Sequence, residues 1–310
     1  IYTHNAICQK SVLFCFPSTL LVSMYTVALI GGTTGIVFMS LILKHQHDNL
    51  SITNISILNL VVAHGLFLLT LPFRIDYYIT NYWRYCFSFC KLVSIAAHTH
   101  LYLTFFFYIS ILVVRFLPSF GWKPMHFQYP LIAFLFSATI WILFMVGFFT
   151  PLWIKYGKLN IYNETKCFKF HTEIKDHVVT INIMIAAIVL AVACTTLTIQ
   201  CFILLKMVRA NHCNLLSQQE FRAQLKNFWF ISIMVICFLP YHIFRIYYVL
   251  NDTKNQQLLK YNETFLAISA LCCLDLLTFI SNNLYFLFLT DTNIVWFILV
   301  CRLPERLQKK

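Results

Sequence analysis

Seven stretches of this chain are long and apolar enough to cross a lipid bilayer: 20–43, 52–79, 88–116, 129–150, 178–206, 225–250 and 263–289. A helix needs about 20 such residues to traverse the hydrocarbon core. In that medium each peptide group must be hydrogen-bonded within its own segment, so runs of this length become helices. The separators carry loop chemistry, as in "KHQHDNLS", "NYWRYC", "GWKPMHFQ" and "KYGKLNIYNETKCFKFHTEIKDH". Composition agrees, because 60% of residues are hydrophobic and only 11% charged, against about 25% charged in a soluble domain. The expected fold is therefore an all-α membrane protein, a seven-transmembrane helix bundle occupying residues 1–289. Residues 290–310 follow as a cytoplasmic tail. The apolar "IVWFILVCRL" within it suits either a helix lying in the membrane or a stretch that has drifted. Near the start, "ICQKSVLFCFP" is too short for a signal peptide and has no small-residue cleavage site.

An odd number of spans puts the termini on opposite sides. Lys and Arg are split almost evenly between the two faces, so the positive-inside rule does not choose between them. Glycosylation sequons do, because they function only outside. Asn163, Asn251 and Asn262 head sequons in the fourth and sixth loops, on one side, and predict an external N-terminus. Asn49 and Asn54 head two more on the opposite side. Cys90 opens the third span and Cys167 sits in the long fourth loop, both on the better-supported outer face. A bridge between them fits an oxidising exterior; Cys86 is a rival partner, and two free thiols are the alternative. The other cysteines fall mainly within spans, where a thiol behaves as a small hydrophobe. The net charge of +12 suits contact with anionic membrane lipid or attraction of an anionic ligand. No nucleic-acid partner is indicated.

The sixth span, "MVICFLPYHIFRIYYVL", contains Pro240, His242 and Arg245. Pro240 has no amide hydrogen and clashes with the carbonyl one turn back, so it predicts a kink and a hinge. His242 and Arg245, three residues apart, share a helix face above that kink. A charge at depth costs at least about 2.5 kcal/mol unless it meets water or a partner. Near a helix end Arg245 can snorkel; the preferred reading is that it lines a wet vestibule and binds an anion bidentately. Arg74 and Tyr77 on the second span, Ser94, His98 and Lys91 on the third, and Lys169 beyond Cys167 face the same mouth in this reading.

The spacing of these features resembles the rhodopsin-like (class A) G-protein-coupled receptors over residues 20–286. The separation of Cys90 from Arg115 matches that family's bridging Cys and cytoplasmic Arg. Trp83, Trp141 and Pro151 match its loop Trp, fourth-helix Trp and terminating Pro. "NLVVAH" (Asn59–His64), "CFLP" (Cys237–Pro240) and "DLLTF" (Asp275–Phe279) resemble its second-, sixth- and seventh-helix motifs. The resemblance implies a plasma-membrane receptor with a heterotrimeric G-protein partner at Arg115 and an activation switch at Phe238, Pro240, Asp275 and Phe279. Relatives that bind nucleotides or lysophospholipids share the His-x-x-Arg of His242 and Arg245. The expected ligand is thus a small anion of the nucleotide, lysophospholipid or fatty-acid class.

The chain also departs from the family pattern. Val114 stands where relatives carry an acid beside the Arg, leaving Glu220 and Gln224 as candidate substitutes. His64 replaces the sodium-holding Asp, Leu276 and Phe279 replace the seventh-helix Pro and Tyr, Ile36 replaces the first-helix Asn, and no proline interrupts Thr180 to Lys206. These losses predict unusual signalling without sodium dependence, and raise the alternative of a non-signalling decoy, scaffold or decayed receptor. An enzyme or transporter would need paired intramembrane carboxylates or a metal-ligand cluster. Asp275 reads as the sole deep acid, no His-x-x-x-His stands out, and neither cofactor nor metal is expected.

Overall fold

In a computed structural model, residues 2–45, 52–116, 130–155, 166–168, 176–210, 219–251 and 256–280 are described. The helices are α1 (Tyr2–His45), α2 (Ile52–Leu68), α3 (Leu71–Thr80), α4 (Phe87–Phe116), α5 (Pro130–Phe144), α6 (Thr150–Lys155), α7 (Asp176–Ala210), α8 (Gln219–Leu250), α9 (Gln256–Ala270) and α10 (Asp275–Ile280). Among the described residues, six stretches are helical, long and apolar enough to cross a membrane, from Ser18–Lys44 to Ala223–Leu250. The seventh span is assembled from α9, a 3-10 turn at Leu271–Leu274, and α10. It starts at Gln256, earlier than the sequence reading placed it, so Glu263 lies about two turns inside the helix. The expected tail, 290–310, lies outside the described residues.

Three spans are interrupted. Pro72 sits in the first turn of α3, where its missing amide hydrogen matters least, and a short turn separates α3 from α2. The fourth span widens into a π turn at Met145–Phe149 and continues through Pro151 to Lys155, so that proline does not end it. In the seventh span the 3-10 turn precedes Leu276, which shows that this helix is irregular without the family's proline.

Polarity is inverted relative to a soluble protein. Leu41, Leu69, Leu131, Val146, Phe202 and Ile236 are exposed on the outer surface, where lipid tails cover them. The inward faces bury His64, Arg74, Gln200, Asn227, His242, Arg245 and Asp275. Polar groups inside a bundle of this kind hold helices together and mark functional positions. Packing runs α2 against α4, α7 against α8, α8 against α9, and α1 against α2, α3, α9 and α10. Gly35 permits the last approach, since a Cβ there would stand 2.9 Å from Leu276 Cβ. Asn59 clips α2 to α5: it donates to Ser137 Oγ (2.8 Å) and accepts from Trp141 Nε1 (2.9 Å). Two motif positions far apart in sequence thereby meet.

Candidate functional site

The outer end is roofed by a disulfide. Cys90 and Cys167 are joined, with Cα atoms 5.8 Å apart, while the rival Cys86 is free and exposed. The bridge marks this end of α4 as facing an oxidising exterior, and alternation of the spans places the N-terminus there too. Trp83, Val93 and Phe168 pack around it, with Phe73, Tyr77 and Phe89 beside them. Phe168 adopts a left-handed backbone (φ 63°), a conformation uncommon for a bulky residue. Its ring lies 4.4 Å from the Arg74 guanidinium.

Arg74 is not open to the mouth. It is 0% exposed, donating to Glu263 Oε2 (3.3 Å), Tyr25 Oη (3.2 Å) and the Val93 carbonyl (3.3 Å). Tyr78 also donates to Glu263 Oε2, at 2.8 Å. A buried guanidinium needs an opposite charge, and Glu263 supplies it. Arg74 thus lies in an ion pair with Glu263 rather than open to the mouth, and Glu263 joins Asp275 as an acid within the bundle. Tyr77 likewise belongs to the aromatic roof, 5.2 Å from the Phe168 ring.

Below the roof, α8 turns His242 and Arg245 inward, 1% and 7% exposed. Arg245 does not snorkel. It donates to Asn182 Oδ1 on α7 (3.1 Å) and Asn262 Oδ1 on α9 (3.2 Å), with the Tyr248 ring 5.2 Å away. These amides hold the guanidinium in place across three helices. Asn262 is 4% exposed, its amide oxygen turned to Arg245 rather than to solvent. The Nε2 of His242 is buried with no hydrogen-bond partner, and Tyr102 lies 5.8 Å from its ring. Ser94 is buried, and its carbonyl engages His98 Nδ1 at 3.0 Å. Asn251 is exposed. Lys169 and Asn163 lie outside the described residues.

Deeper in the bundle, Pro240 lies within α8, and Phe238, a half-turn below it, is fully buried against Phe105 and Tyr108. The Tyr108 hydroxyl donates to Asp275 Oδ2 (2.6 Å), with the Cys272 carbonyl 3.3 Å away. Tyr108 therefore connects the Phe238 ring to the seventh span. Sequence reasoning missed it, although it precedes Arg115 by seven residues, two turns along one helix face. The other Asp275 oxygen lies 3.2 Å from His64 Nε2, out of line for a hydrogen bond. His64 also contacts His100, Nδ1 to Nε2, at 2.8 Å. With Cys272 and Cys273 these form a buried cluster of ligand-bearing atoms, an assembly the sequence reading did not expect. The set is imidazole and thiol, unlike the oxygen ligands a hard cation such as sodium takes. Phe279 lies on α10; its side chain is outside the described residues.

At the inner end, Arg115 donates to Asn227 Oδ1 on α8 (2.8 Å) and lies 5.7 Å from the Phe230 ring. Asn227 Nδ2 reaches Gln224 Oε1 (3.4 Å), which also accepts from Gln200 on α7 (3.2 Å). Of the two substitutes read from sequence, Gln224 acts at one remove, and Glu220 is exposed. Asn227 is the partner that was missed.

Residues 34–275 match the family described as "7 transmembrane receptor (rhodopsin family)". The chain is 42% identical over 288 residues to the human "Probable G-protein coupled receptor 141", covering 91% of this chain and 94% of that one. It is 26% identical over 256 residues to the Sus scrofa cysteinyl leukotriene receptor 2, covering 80% and 73%. Over 231 residues it is 23% identical to the human uracil nucleotide/cysteinyl leukotriene receptor, covering 73% and 60%.

Proposed function

The chain belongs to the rhodopsin family of seven-transmembrane receptors, and on that premise we propose that it binds a small anionic extracellular ligand and signals through heterotrimeric G proteins. Membership makes it a multi-pass plasma-membrane protein and not an enzyme. The observation that carries the ligand class is the pairing of buried Arg245, held by amides from α7 and α9, with an imidazole whose Nε2 is unsatisfied. A buried polar atom without a partner is uncommon in a native interior, and a carboxylate or phosphate accepting from both groups satisfies it with charge-assisted bonds. Two similar proteins are named as leukotriene or nucleotide receptors, and both ligand kinds are anionic.

The ligand's contact with His242 and Arg245 lies one turn above Pro240. Drawing the outer half of α8 inward pivots its inner half at the proline. That motion disturbs Phe238 against Tyr108 and parts Asn227 from Arg115, freeing the guanidinium for a G protein. The test is a G-protein dissociation assay on surface-stained cells exposed to nucleotides, lysophospholipids and fatty acids. An anionic hit should lose its effect in Arg245→Ala at equal surface level, and all signalling should vanish in Arg115→Ala. Equal activation of the Arg245 variant overturns the pocket; undiminished signalling by the Arg115 variant overturns the coupling role.

A further inference from the structure

We propose that His64, His100, Cys272 and Cys273 form a binding site for one zinc ion, which ties the second, third and seventh spans together beneath the Phe238 switch. One ligand atom from each residue lies within 4.8 Å of every other, and all four residues are buried. The donor set, two imidazoles and two thiols, is one of those that structural zinc takes. Tetrahedral zinc, with Zn–S near about 2.3 Å and Zn–N about 2.0–2.1 Å, requires ligand atoms roughly 3.3–3.8 Å apart. Cys273 Sγ stands 3.4 Å from His64 Nδ1 and 3.8 Å from His100 Nε2. The two imidazole nitrogens are 2.8 Å apart, and the set as a whole lies within 4.8 Å, so admitting the ion requires the nitrogens to part by about half an ångström and the widest pair to close by up to about one.

Two further observations point to a cation. Metal-bound imidazoles typically donate their second N–H to a carboxylate, which fixes the tautomer and ring orientation. His64 Nε2 lies 3.2 Å from Asp275 Oδ1, and both atoms are buried without a hydrogen bond. A metal on Nδ1 places the proton on Nε2, and a small rotation of the ring aims it at that oxygen, satisfying two orphan atoms together. The His100 ring is already fixed by stacking on Phe67, with centroids 4.1 Å apart and planes 10° from parallel. The 3-10 turn at Leu271–Leu274 carries the adjacent cysteines to the same cluster.

Charge and protons balance: zinc(II) takes two neutral imidazoles and two thiolates, and the thiols release two protons. The four-ligand centre is neutral, and the one charge left beside it, the Asp275 carboxylate, accepts from Tyr108 and from the His64 N–H once the ring turns to it. The site concerns helix association and is independent of the ligand and coupling roles proposed for Arg245 and Arg115.

The test uses the purified full chain in detergent, stripped with chelator and then titrated with zinc or with cobalt(II) as an optical probe. One equivalent of zinc per chain by elemental analysis, an upward shift in melting temperature, and cobalt bands typical of tetrahedral thiolate coordination are expected. His64→Asn, His100→Asn and Cys273→Ala should lose the bands and the shift, whereas Cys194→Ala, at an exposed cysteine on α7, should keep both. Absorption spectroscopy at the zinc edge of the loaded wild type should find two sulfur and two nitrogen neighbours, a readout that needs no variant to fold. A wild type that takes up no zinc, a shell of oxygen and nitrogen only, or a folded Cys273→Ala that retains the bands each overturns the site.

Discussion

Removing the Arg74 guanidinium leaves the Glu263 carboxylate and the Tyr78 hydroxyl facing a gap beneath the disulfide roof. Breaking a buried ion pair from one side costs about 3–5 kcal/mol, whereas replacing both partners by well-packed neutral groups is often neutral. Arg74→Ala should therefore lower the melting temperature of the purified receptor and its surface level. Arg74→Met combined with Glu263→Gln should recover most of both, and failure of the double variant to recover would refute the pairing. The same pair shows what a sequence discloses at this scale. An arginine in an apolar helix is conspicuous, but whether it meets a ligand or an acid depends on the seventh span, 189 positions away. Asn262 is the mirror case, a glycosylation signal by its neighbours and a buried ligand of Arg245 by its fold. Asn227 had no signal beyond being polar in "LKNFWF"; only the crossing of α4 and α8 makes it the partner of Arg115.

Among elements, the proposed coupling runs through α8. Its inner half holds Asn227 and its outer half Arg245, with Pro240 between them. Pro240→Ala restores the missing backbone hydrogen bond and removes the clash, giving a stiffer helix. The expected outcome is normal or improved thermal stability with a reduced G-protein response at matched surface level; an undiminished response would remove the hinge from the account. Against the seventh span, α1 depends on a small residue. Gly35→Val pushes a side chain into Leu276 and the backbone at Leu277, and overpacking of this kind typically costs about 1–3 kcal/mol. A clear drop in melting temperature should follow, and an unchanged value would mean the helices are less closely packed than described. The first six span positions were legible because hydrophobic length dictates them. The turn between α2 and α3, the π turn and the 3-10 turn were not, since each is decided by packing between helices rather than by a local breaker alone.

For the whole molecule, the inverted polarity, the oxidised outer face and the family match give one orientation: a disulfide-roofed outer end with Arg245 buried beneath it, a packed aromatic and imidazole–thiol centre, and an inner guanidinium bonded to an amide. The centre differs most from the family pattern. With His64 where relatives carry a carboxylate, exchanging sodium for choline should leave melting temperature and basal signalling unchanged; a large sodium-dependent shift would contradict the ligand chemistry assigned there. Architecture and orientation were readable in advance from runs of apolar residues and from Cys90 and Cys167. The wiring between the ends was not, because Tyr108, Asn227 and Glu263 act through partners on other helices. In the proposed mechanism this wiring restrains Arg115 through Asn227 until α8 moves. The most direct measurement is ligand-free G-protein dissociation in cells with matched surface expression, comparing wild type, Asn227→Ala and Asn227→Ala/Arg115→Ala. The single variant should show a raised basal signal that the double variant loses; a single variant no more active than wild type would contradict the restraint of Arg115 by Asn227.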